Sequence, residues 1–160
     1  MIDYKKYMDM AIELSKNSRD ESTKVGTVII DKNGEVMVIG FNDLIKGCKY
    51  TPEVQVRPIK YKYFEHGERN AIYSAARLGV STDGCTIISS GLFPCVECAR
   101  AIVQSGIIKI VTFKPDYEHP TYGEDFKLAL DFLTDAGVEI VYYDELEKYK
   151  NGDKHGFIME

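Results

Sequence analysis

His66, Cys95 and Cys98 are residues whose types and spacing could do chemistry together. One imidazole and two thiolates make a donor set that suits zinc. Zinc with three protein ligands keeps its fourth position for water, as a catalytic centre does; a structural centre closes all four. The Cys-x-x-Cys spacing lets both sulfurs reach one ion from a single helical turn. Glu68 stands two residues after His66, offset enough to stay off the metal and close enough to carry a proton. Zinc lowers the pKa of bound water to about 7, and a carboxylate at Glu68 can take the water's proton and deliver it elsewhere. Each half has a plainer reading. Cys95-x-x-Cys98 alone also fits a redox pair, half of a structural zinc site or two core cysteines. His66-x-Glu68 alone also fits a helix cap or a polar surface. In this order, each opening a helix, the two halves favour a catalytic zinc site.

The surrounding pattern must hold these groups together. Residues 4–16 carry Tyr4, Tyr7, Met8, Ala11, Ile12 and Leu14 at helical spacing. Residues 25–31 and 35–41 predict strands, joined through Asp31-Lys32-Asn33-Gly34, whose Asn-Gly pair suits a hairpin turn. Residues 42–65, with Pro52 and Pro58, predict a long irregular loop, uncommon unless it serves a site or an interface. Helices are predicted at 66–78, stopped by Gly79, at 94–106, with Pro94 as the first helical residue, and at 122–136, ended by Gly137. Strands are predicted at 85–89, 107–113 and 138–143, then a short helix at 144–150 and a patternless tail at 151–160. The resulting order, α-β-β-α-β-α-β-α-β, predicts an α/β domain spanning 1–160, a mixed sheet with helices on both faces. Both metal-binding segments then fall at helix N-termini, where the dipole and free N–H groups favour thiolates.

Bulk properties narrow the function. The chain has 160 residues, 44% hydrophobic and 28% charged, in the range of globular proteins. A chain of this length buries about 70% of its unfolded surface and needs no disulfide staple. Its net charge of −5 argues against a broad nucleic-acid-binding face but permits a small anion held by a few cations. No apolar run is long enough to predict a membrane span. The first residues lack the apolar stretch of a signal peptide, so a cytoplasmic location is expected. Of the four cysteines, Cys85 predicts core packing and Cys48 loop packing, with a place for Cys48 or His119 in a second metal site left open. His119 and His155 are expected to face solvent, and Lys148 and Lys150 to form a solvated face.

His66-x-Glu68 followed by Pro94-Cys95-x-x-Cys98 is the signature of zinc nucleobase deaminases. On these residues the chain resembles the cytidine deaminase superfamily, and within it the deoxycytidylate (dCMP) deaminase family. Further matching segments are Ser18-Arg19-Asp20, Thr23 to Val28, Phe41-Asn42-Asp43 with Gly47-Cys48, Glu65 to Ile72, and Leu92 to Ala99 with Gly106-Ile107. Two departures stand out: Gly67 replaces the family's usual alanine, and Asp43 and Lys46 alter the surroundings of Asn42. The resemblance implies a three-layer α-β-α cytidine deaminase-like fold on a mixed five-stranded sheet. It implies zinc-dependent hydrolysis of dCMP to dUMP and ammonia, with His66, Cys95 and Cys98 as ligands and Glu68 as proton carrier. By the same resemblance Asn42 would bind the sugar hydroxyl, the Gly67 N–H would face the base, and Val25 and Phe93 would pack on base and sugar. Tyr117 would lie near the phosphate, with Arg19, Lys24, Arg57, Lys60 and Lys62 as candidate phosphate partners. Core packing for Val25 and Phe93, a turn for Asn42 and plain surface for most of the cations are the competing readings. A homo-oligomer, often a hexamer, and control by dCTP with Mg²⁺ and by dTTP are also implied. Rival readings keep the chemistry but change the substrate to cytidine, cytosine, dCTP, guanine or a tRNA adenosine. Another makes the protein a structural zinc module closed by Cys48; a thioredoxin-like redox role fits least, since it uses neither His66 nor Glu68.

Overall fold

The computed structural model describes residues 1–146. Most of the expected helix at 144–150, Lys148, Lys150, His155 and the tail lie outside the described residues; residues 143–146 are helical. The chain opens with α1 (Tyr4–Ser15), whose N-terminus is capped by Asp3. A hairpin of β1 (Gly26–Ile30) and β2 (Val36–Phe41) follows. Asp31 Oδ1 shapes its turn by accepting the N–H groups of Asn33 and Glu35, at 2.8 and 2.9 Å. Gly34 there takes φ +85°, a left-handed conformation that suits glycine.

Residues 42–65 are more ordered than their sequence predicts. They contain β3 (Asp43–Leu44), a 3₁₀ turn (Pro52–Gln55), α2 (Lys60–Tyr63) and β4 (Phe64–Glu65). β3 and β4 pair antiparallel and close the base of this excursion. Leu44, Val54 and Phe64 give it a small core of its own, with Cys48 packed against it. Two-residue strands carry too few alternations to leave a period-two signal, so this region reads as loop.

The second half alternates α3 (Gly67–Leu78), β5 (Thr86–Ser89), α4 (Val96–Gln104), β6 (Lys109–Thr112), α5 (Gly123–Asp135) and β7 (Glu139–Tyr142). The main sheet has the order β2-β1-β5-β6-β7. β1 pairs antiparallel with β2 and β5, while β5, β6 and β7 run parallel. All five residues of β1 are buried, which its near-continuous apolar sequence requires of a central strand covered on both faces.

Side chains alternate across this sheet and build two cores. Ile29, Ile87 and Ile110 join the buried faces of α3, α4 and α5 on one side. Val28, Ile30, Ile88 and Val111 meet Tyr7, Met8 and Ala11 of α1 on the other. Each fully buried isoleucine contributes about 1.5–3 kcal/mol of transfer free energy. The α-β-α layering read from the sequence is the architecture observed. One detail shifts: α4 begins at Val96 rather than at Pro94, with Cys95 as its cap, whose sulfur accepts the Cys98 N–H. Pro94 therefore stands outside the helix.

Candidate active site

His66 is the N-cap residue of α3 and Cys95 that of α4. The starts of these helices meet beside the end of β5. α3 is tied to β2 by Asn70 Nδ2, which donates to the Phe41 carbonyl at 2.8 Å. α4 is tied to α5 by Asp125, which accepts the Val96 N–H at 2.7 Å. His66 Nδ1 lies 3.5 Å from Cys95 Sγ and 3.4 Å from Cys98 Sγ. Zinc at tetrahedral angles, with Zn–N of about 2.0 Å and Zn–S of about 2.3 Å, sets neighbouring N and S atoms about 3.5 Å apart. The three side chains therefore fit that ion as they stand, and they form the one metal-binding group of His, Cys and carboxylate side chains found among the described residues. Cys48 packs elsewhere, against Leu44, Val54 and Phe64, so it does not close the site as a fourth ligand.

Contact with Cys98, and then with His66, holds the Cys95 thiol down to about 4 against the effect of burial. Cys98 moves the other way, pushed well above the usual thiol range by Cys95 and by burial. Contact with Cys95 also raises the His66 imidazole. The pair alone thus carries one thiolate readily; a cation among the three atoms is what makes the second ionise.

Glu68 lies in the first turn of α3 and is 5% exposed. Ser89 Oγ, at the end of β5, donates to its Oε1 at 3.1 Å, and Cys98 Sγ lies 3.7 Å from its Oε2. Burial raises its carboxyl above the ordinary range, partly opposed by His66. A carboxyl beside the donor triad, with a raised pKa, is suited to taking up and giving back a proton. Arg69, the next residue, forms ion pairs with Glu65 and Glu97. Glu65 precedes His66 and Glu97 lies between the two cysteines, so one guanidinium links both ligand-bearing segments. Gly67 packs closely: a Cβ there would lie 3.0 Å from Thr27 Oγ1 and 3.1 Å from the Val25 carbonyl oxygen, so these neighbours would have to yield by a few tenths of an ångström.

These groups sit in a cavity of about 310 Å³. Val25, Asn42, Gly67 and Phe93, which the family resemblance puts beside the substrate, all line it. Asn42 is also a brace: its Oδ1 accepts the Val25 N–H and its Nδ2 donates to the Thr23 carbonyl, both at 2.7 Å. Phe93 is only 2% exposed and meets Phe126 edge-on at 6.0 Å, so it is wall and core together. Lys24 and Tyr117 are not brought to the cavity. Lys24 Nζ instead donates to the Ser18 carbonyl at 2.5 Å. Among the other candidate cations, Arg19 is held by both oxygens of Asp43, and Lys62 does not line the cavity. Arg57 and Lys60 do line it. Lys60 is buried there, with its Nζ 2.7 Å from Asp20 Oδ1.

His119, expected in solvent, lines the cavity with Thr121 and Tyr122. Its ring packs 5.3 Å from Tyr122 and 6.2 Å from Phe126. The spacing of His119, Tyr122 and Phe126, at i, i+3 and i+7, was the available signal of one shared face.

The chain matches the profile of the cytidine and deoxycytidylate deaminase zinc-binding region over residues 1–114. It belongs to this family. An uncharacterized deaminase of Aliivibrio fischeri is 34% identical over 139 residues, covering 86% of this chain and 91% of that one. Human deoxycytidylate deaminase is 31% identical over 118 residues, which cover 69% of this chain and 64% of the human protein. The dCMP deaminase of cyanophage S-TIM5, solved with dCMP and dUMP, superposes with a TM-score of 0.69 at 26% identity, covering 87% of this chain and 95% of that one. The protein is accordingly a zinc-dependent nucleotide deaminase of the deoxycytidylate deaminase family. No helix among its described residues is long and apolar enough to cross a membrane.

Proposed function

We propose that this deaminase converts dCMP and water to dUMP and ammonia, with His66, Cys95 and Cys98 holding zinc and Glu68 moving the proton. The observation that carries this is the buried Glu68 carboxyl beside a triad spaced for zinc, within a cavity that Arg57 also lines. Zinc held there supplies Lewis acidity that makes water a nucleophile near neutral pH. Glu68 takes a proton from the attacking water as a C–O bond forms at C4. It passes that proton to ring N3. Glu68 then moves the proton of the new C4 hydroxyl to the exocyclic nitrogen, so that the C4 carbonyl forms as the C–N bond breaks and ammonia leaves. Ser89 holds Glu68 Oε1, which leaves Oε2, the oxygen beside Cys98 Sγ, to carry the proton. Gly67 presents the first amide of α3 to the base, while Val25 and Phe93 supply apolar walls. Asn42 faces the sugar while bracing residues 23–25.

Homo-oligomeric assembly and control by dCTP with Mg²⁺ and by dTTP belong to the same proposal. The acidic net charge disfavours the tRNA alternative. The test is ammonia release by the zinc-loaded protein with dCMP, CMP, dCTP, deoxycytidine and cytosine side by side. Preference for dCMP is expected, with Glu68→Ala retaining zinc and losing about 10²–10⁴-fold in kcat. Turnover confined to unphosphorylated compounds would overturn the substrate. Full activity in Glu68→Ala would overturn the mechanism.

A further inference from the structure

The charges around the cavity do not balance evenly. Asp20 is paired with Lys60, and Glu65 with Arg69. Arg57 also lines the cavity and forms no ion pair among the described residues. Its guanidinium lies 5.7 Å from the centre of the Tyr61 ring, another lining residue. In a chain of net charge −5, this leaves an unmatched cation on the cavity wall.

His119 reaches the same cavity from the connection between β6 and α5. Its Nδ1 accepts the backbone N–H groups of Thr121 and Tyr122, at 3.2 and 3.1 Å. An acceptor at Nδ1 places the ring hydrogen on Nε2, so the imidazole offers a donor there. Packing against Tyr122 and Phe126 fixes the ring plane. A fixed ring N–H donor and an unpaired guanidinium, brought from separate connections to one cavity, are the elements of an oxyanion-binding subsite.

We infer that Arg57 and the Nε2–H of His119 read the substrate's 5′-phosphate and so set the preference for a nucleotide over its nucleoside. The inference rests on the nucleotide-deaminase reading of the same site. It assigns the phosphate to these two residues in place of Lys24 and Tyr117, which the cavity excludes. Lys60 is committed to Asp20 and is not part of the subsite.

The experiment measures kcat and KM for dCMP and for deoxycytidine in the zinc-loaded parent, His119→Asn and Arg57→Gln. Asparagine keeps an acceptor for the Thr121 and Tyr122 amides and removes the distal donor. Arg57 is exposed, so its replacement leaves the core intact. In each variant the ratio of kcat/KM for dCMP over deoxycytidine is expected to fall about tenfold or more, mainly through KM for dCMP. A parent that prefers dCMP, with both variants keeping that preference within threefold, would overturn the inference and leave the substrate assignment standing. A parent without preference for dCMP would overturn the substrate assignment itself, and the phosphate role with it.

Discussion

Replacing Lys60 with methionine removes one charge and little volume. The Lys60 and Asp20 side chains are 7% and 6% exposed, and their charged atoms are 2.7 Å apart. Methionine leaves the Asp20 carboxylate buried without its counterion. Breaking a buried pair in this way costs about 3–5 kcal/mol, which for a chain of this size lowers Tm by about 10–15 °C. The sign of the pH dependence follows from the competing influences on Asp20. Burial is the largest and would raise its carboxyl; Lys60 and the Thr23 and Ser22 N–H groups together hold it below the usual range. In the parent, therefore, the pair adds stability that is present above the unfolded carboxylate value and lost as pH falls through the lower folded value. Without Lys60, the opposition to burial is weakened and the folded carboxyl titrates higher than in the parent. Protonation then relieves the variant, and its deficit narrows as pH falls. Urea denaturation at pH 7 and pH 4.5 measures both deficits. A deficit below about 1 kcal/mol at pH 7, or an equal deficit at both pH values, would refute the reasoning. Adding Asp20→Asn to Lys60→Met is expected to recover most of the loss.

Arg69→Gln cuts the link between Glu65 and Glu97, and zinc affinity is expected to fall about 10–100-fold, read by competition with a chromophoric chelator. Affinity within twofold of the parent would show that the ligand segments hold their places without it. Gly67→Ala pushes a methyl group against Thr27 and the Val25 carbonyl. A net loss of about 1 kcal/mol in thermal or urea unfolding, with a raised KM, is expected as Val25 shifts at the cavity wall. A stabilised variant with unchanged KM would contradict this.

The metal triad was legible because its chemistry is local: the Cys-x-x-Cys spacing belongs to one helical turn, and His66 and Glu68 to another. The main sheet was legible because strands and helices with strong periods alternate along the chain. Residues 42–65 were not, since β3 and β4 are each too short to show a period. Among the cations, residue type could not separate Lys24, held by the Ser18 carbonyl, from Arg57, which reaches the cavity. Side-chain direction, fixed by tertiary contacts, decides that. His119 was missed for a related reason. Its place depends on a turn that brings the Thr121 and Tyr122 amides to its ring.

The two groups of cavity residues have different hosts. His66, Glu68, Cys95 and Cys98 begin helices packed on the central sheet, whereas Arg57, Lys60, Tyr61, His119, Thr121 and Tyr122 belong to the excursion after β2 and the connection before α5. Descendants of this chain can therefore change diet without relearning the reaction. Exchanges at exposed positions of those two stretches, such as Arg57, alter which molecules are admitted and leave the packed helix starts untouched. Selection on the hydrolytic step and selection on the molecule it acts upon fall on separate parts of the chain.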